Sequence, residues 1–78
     1  MDIFEKIALA QSMSEDKRKQ NLIPMLEDLI SLATGEHAEF KLDKKTQMLS
    51  MVLGQEFKQI SVKDDSALSL VRDVIANI

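Results

Sequence analysis

Apolar residues recur with a helical period along most of the chain. Across residues 21–35, Leu22, Ile23, Met25, Leu26, Leu29, Ile30, Leu32 and Ala33 fall on one half of a helical circumference, while Glu27, Asp28, Ser31 and Thr34 fall on the other. So wide an apolar face calls for neighbours on more than one side. It predicts a central helix over 22–34, with Pro24 in its first turn and Gly35 as a left-handed cap. Ahead of it, Ile3, Phe4, Ile7 and Ala8 line a helix over 2–13, N-capped by Asp2 with Glu5 placed for a capping box. Residues 14–20 hold no apolar side chain, and the run Lys17-Arg18-Lys19 between acids reads as a solvated face.

Further on, Leu49, Leu53, Phe57 and Ile60 recur at i, i+4, i+8 and i+11. This predicts a third helix over 44–59 that runs straight through Gly54, with Asp43 as its N-cap. Met48, Met51 and Val52 make a second apolar patch on another side of that helix. A fourth helix over 65–77 follows, capped by Asp64 or Asp65, with Leu68, Leu70, Val71, Val74 and Ile75 on one arc. Between the second and third helices, Ala38, Phe40 and Leu42 alternate with polar residues, as do residues 59–63. The alternation admits a minimal two-stranded ribbon pairing 38–42 with 59–63, although an extended loop that pins Phe40 and Leu42 into the core suits such short segments better. The fold class expected is therefore all-α, a single small four-helix bundle-like domain over 1–78.

At 78 residues the core is small, supplying about 3–5 kcal/mol where nothing supplements it. Cysteine is absent and His37 is the only histidine, so neither a disulfide nor a usual metal cluster is at hand. Extra stability is then expected from close helix packing or from self-association as a homodimer. No apolar run approaches the roughly 20 residues of a membrane span, and acids occupy the N-terminal stretch where a secretory signal has a basic lead. The expectation is a cytoplasmic protein without a membrane segment. Charge is unevenly spread. Residues 1–39 carry eight acids and four bases, whereas residues 40–78 carry five acids and six bases. A formal charge of −3 speaks against general nucleic-acid binding.

Catalysis needs ionisable groups that converge on one point. Here the acids fall in adjacent pairs (Glu15/Asp16, Glu27/Asp28, Asp64/Asp65), and neighbours on a helix diverge by about 100°. The only two glycines lie 19 residues apart, so no phosphate loop exists, and His37 has an oriented partner only if the loop happens to bring Glu36 or Glu39 to it. The chain reads as non-enzymatic, with no catalytic residue, metal or cofactor.

Two resemblances bear on function. Asp65-Ser66-Ala67-Leu68 is similar to a degraded attachment motif of acyl carrier proteins, but only 12 residues follow Ser66, where that family has about half a domain, so a helix start explains it better. Residues 46–60 resemble a helix-turn-helix, with Thr46, Leu49, Ser50, Leu53, Gly54 and Ile60 in its slots. Gln55 stands where that motif holds an apolar residue, and its reading segment offers Lys58, Gln59 and Lys63 without an arginine. DNA binding is thus the second reading. The first is a protein–protein interaction module, a small regulator, inhibitor, immunity-type protein or adaptor subunit. It would bind another protein through Met48, Met51 and Val52 on the third helix.

Overall fold

The computed structural model describes residues 2–78. Among these it holds helices α1 (Ile3–Gln11), α2 (Glu15–Thr34) and α3 (Ala67–Ala76), and strands β1 (Ala38–Leu42), β2 (Met48–Leu53) and β3 (Glu56–Ser61). The strands form one antiparallel sheet in the order β1-β2-β3, with α2 packed against β1 and against α3. The fold is α+β. It overturns the all-α four-helix bundle, because the segment expected as the third helix, 44–59, is a β-hairpin.

The misreading has a physical cause. Five of the six residues of β2 are apolar, so both of its faces are apolar and the period of two is hidden. The i, i+4 stripe from Leu49 to Ile60 then fits a helix by coincidence. What selects the hairpin is Gly54, whose φ of +60° at the first loop position suits a two-residue turn, with Leu53 paired to Glu56 across it. Its N–H donates to the His37 carbonyl at 2.9 Å, tying the turn to the start of β1.

The extended loop favoured for 38–42 gives way to a strand, and the alternative ribbon is half right in its elements and wrong in its pairing. Residues 38–42 are a strand, but they pair with β2 (Phe40 opposite Met51, Leu42 opposite Leu49), and β2 separates them from β3. Asp43 caps a turn rather than a helix. Its Oδ1 accepts from the N–H of Lys45 at 2.8 Å and of Thr46 at 3.0 Å. Those two bonds favour the charged carboxylate and hold the Asp43 pKa below its usual range.

Helix boundaries shift for equally local reasons. Asp2 does cap α1, its Oδ1 accepting from Glu5 N–H at 2.8 Å, and Gly35 does close α2 with φ +74°. But α2 starts at Glu15, capped by Ser14, so Pro24 lies inside the helix instead of in its first turn. Proline has no N–H, so the Gln20 carbonyl loses its intrahelical donor. Burial on both sides of that break, at Lys19 and Ile23 before it and at Leu26 and Ile30 after it, keeps the helix continuous. In α3 the cap is Ser66, not Asp64 or Asp65. The core gathers Ile23, Leu26 and Ile30 of α2 with Phe40, Leu49, Met51, Val62, Leu70 and Val74.

Candidate interaction surface

One flank of the α2 face that a helical wheel assigns to solvent meets β1, beside the core residues Ile23, Leu26 and Ile30. Ser31 Oγ accepts from Ala38 N–H at 3.1 Å, and Glu27 Oε2 accepts from Phe40 N–H at 3.1 Å. Gln20 Nε2 reaches the Leu42 carbonyl at 3.5 Å. Positions 20, 27 and 31 lie within about 40° of one another on a helix. This polar stripe therefore pairs three of the outward-facing backbone groups of an edge strand, which otherwise invite another chain. β3, the opposite edge, has no such cover. Its outward groups at Phe57, Gln59 and Ser61 meet no partner among the described residues.

Because the polar stripe faces the sheet edge, part of the apolar face of α2 points outward. Met25, Leu29 and Leu32 are all exposed, Leu32 by 85%. They lie in the same direction as Arg18 and Asn21, the two residues that hold the end of α1. Arg18 Nε donates to the Ala10 carbonyl at 2.6 Å, and Asn21 Nδ2 lies 3.1 Å from Met13 Sδ. Beyond that joint α1 packs along no other element and buries no residue. Ile3, Phe4 and Ile7 form an apolar arc on α1 with nothing beneath it among the described residues.

The residues singled out from sequence do not share a face. Met51 is in the core, on the sheet face that carries Phe40 and Leu49. Met48 and Val52 are half-buried on the other face, where Val52 stands opposite the exposed Phe57. A binding surface on a third helix at 44–59, and a helix-turn-helix at 46–60, both fall with the hairpin. His37 does meet Glu39, at 2.9 Å, but both are exposed and no nucleophile joins them. The basic run is not one solvated face. Lys17 is exposed, Arg18 bonds Ala10, and Lys19 is buried at 2% exposure.

Lys19 is the centre of the buried polar contacts. Its Nζ donates to the Val62 carbonyl at 2.9 Å and to Gln47 Oε1 at 3.4 Å, with Asp16 Oδ1 at 3.9 Å. Gln47 is the one described non-glycine residue with a left-handed backbone, φ +58°, and its carbonyl accepts from Val62 N–H. Nearby, Asp65 Oδ2 is buried with no donor in reach. Its neighbour is the Asp73 carboxyl, and two carboxyl groups bond each other only through a shared proton. That bond, with burial and the negative charge of Asp73, raises the Asp65 pKa against the opposing pull of Lys19. A groove of about 480 Å³ beside this region is lined by Ser14, Asp16, Lys17, Gln20, Asn21, Lys44 and Gln47. It is shallow and polar, and no acid–base pair converges in it.

No group of three or more potential metal ligands occurs among the described residues, and no helix is long and apolar enough to cross a membrane. Compared with protein-family models, curated proteins and solved structures, the chain matches none.

The signal sequence reasoning missed was the polar stripe itself. Gln20, Glu27 and Ser31 share the spacing i, i+7, i+11, and an edge strand follows α2 within a few residues.

Proposed function

We propose that this protein is a non-enzymatic interaction module that binds another protein through the open apolar faces of α1 and α2. The observation that carries the reading is that Met25, Leu29 and Leu32 face outward beside a helix with no buried residue. Contiguous exposed apolar surface of this kind marks interaction sites, because leaving it in water costs roughly 25 cal/mol per Å². A lipid surface is the weaker occupant. Interfacial helices carry Lys and Arg on the polar face, whereas α1 carries Asp2 and Glu5 against Lys6. Residues 1–39 hold twice as many acids as bases, which disfavours nucleic acid at this surface. A reducing compartment such as the cytoplasm suits a chain without cysteine.

The test is affinity capture from a lysate of the source organism, with nuclease, using wild-type protein and Leu32→Lys as parallel baits. A stoichiometric protein retained by wild type and lost by the variant supports the reading. Capture that is equal on both baits or that vanishes with nuclease overturns it, as does a monomeric bait that retains no stoichiometric protein.

A further inference from the structure

We infer that the occupant of this surface is a second copy of the chain, with α1 of each protomer docking on the α2 stripe of the other. The inference rests on the interaction-module reading and names its partner.

Reach makes the first argument. The Arg18–Ala10 bond holds Ala10 within one arginine side chain of Arg18. Counting back along α1 at about 1.5 Å per residue puts Ile3 level with Met25 if α1 folded onto its own α2. Leu32 lies roughly 10 Å further along the axis. Its own α1 is too short to cover it, so only a second molecule can bury the most exposed large apolar side chain of the described residues.

Complementarity makes the second. One face is a helix with no floor, and the other is a floor with no helix. Exchange between two copies satisfies both in one isologous contact, in which each pairing occurs twice. Charge agrees at the rim. Lys6 sits beside the α1 arc, about 60° round the helix from Ile3, and Asp28 sits beside the α2 stripe, about 40° from Leu32. Neither is in an ion pair within the chain among the described residues. Across the exchange they are of opposite sign.

Area makes the third. Ile3, Phe4, Ile7, Met25, Leu29 and Leu32 are exposed by 47–85%. Taking about 200 Å² for a fully exposed large apolar residue, they present on the order of 800 Å² per protomer, the share one partner brings to a standard-size interface.

The test is the solution mass of the full chain by sedimentation equilibrium, over roughly 1 μM to 1 mM. A particle of twice the 8.8 kDa chain mass is expected. Leu32→Lys and Phe4→Lys should each raise the dissociation constant at least about tenfold with the far-UV circular dichroism unchanged, since both side chains are already in water in the isolated fold. Lys6→Glu and Asp28→Lys should each weaken the dimer, and the two together should restore it. A single-chain mass throughout, or a dimer indifferent to Leu32→Lys and Phe4→Lys, overturns the inference. A monomer whose protein capture is still lost with Leu32→Lys overturns only the second copy. A monomer whose capture ignores Leu32→Lys overturns the module reading as well.

Discussion

The Nζ of Lys19 lies 2.9 Å from the carbonyl oxygen of Val62, 43 residues away in sequence, and both residues are buried. One side chain thereby joins the first turns of α2 to the segment after β3 and, through Gln47, to the β1–β2 turn. Lys19→Ala should cost about 2–4 kcal/mol, combining a cavity with a carbonyl and an amide left short of a donor. Lys19→Met keeps most of the buried stem and should cost less. Urea denaturation of the two variants separates packing from hydrogen bonding, and Lys17→Ala, on the exposed neighbour, should stay within about 0.5 kcal/mol of wild type.

Glu27 protects an edge. Without its carboxylate the Phe40 N–H, in a buried residue, has no acceptor. Glu27→Ala should destabilise by about 1–3 kcal/mol, the cost of leaving a buried donor unsatisfied. It should also expose β1 to pairing with other chains. Light scattering at concentrations where wild type stays clear reads the second effect. An Ala variant that keeps both stability and clarity would remove the sealing role.

Asp65 and Asp43 should respond to pH with opposite signs. Asp65 is raised in the fold, so its contribution is fully present below its unfolded pKa and is lost as pH rises through the folded value. At neutral pH its charge therefore opposes folding, and Asp65→Asn should melt above wild type, with the gap closing on acidification. Asp43 is lowered, so its contribution is present above its unfolded pKa and is lost as pH falls through the folded value. Asp43→Asn should melt below wild type at neutral pH, and again the gap should close in acid. Melting series of the two variants across pH 2–8 check both signs.

Gly54 decides the hairpin. At φ +60° an alanine adopts a left-handed conformation costing roughly 1–2 kcal/mol, and its Cβ would stand 3.1 Å from Glu36 Oε2. Gly54→Ala should lower the melting temperature by about 4–16 °C in a domain of this size. A helix through 44–59 would instead gain from alanine, so a rise in melting temperature would contradict the turn.

Local chemistry was legible in the sequence. The Asp2 cap, the Gly35 cap and the strand alternation at Ala38, Phe40 and Leu42 each depend on a few adjacent residues, and each appears in the structure. Asp43, expected as a helix N-cap, accepts the backbone N–H groups of a turn instead. Two local signals were misread, the α2 cap at Ser14 and the α3 cap at Ser66, and the larger failure passed through a partner. β2 is apolar on both faces, so its own pattern could not choose between strand and helix; the Gly54 turn and the pairing with β1 and β3 did.

The same holds for α2. Its sequence by itself determined that one half of the helix is apolar and the other polar, because that follows from spacing at 100° per residue. Which arc meets the protein was decided by the tertiary structure, and it straddles the boundary, taking in Ile23, Leu26 and Ile30 together with the polar stripe. An edge strand with unpaired backbone groups competes for the polar side chains of Gln20, Glu27 and Ser31. Unmet backbone hydrogen bonds are expensive and directional, whereas apolar contact is neither directional nor tied to one neighbour. The polar stripe therefore turns to β1, and Met25, Leu29 and Leu32 are left facing out.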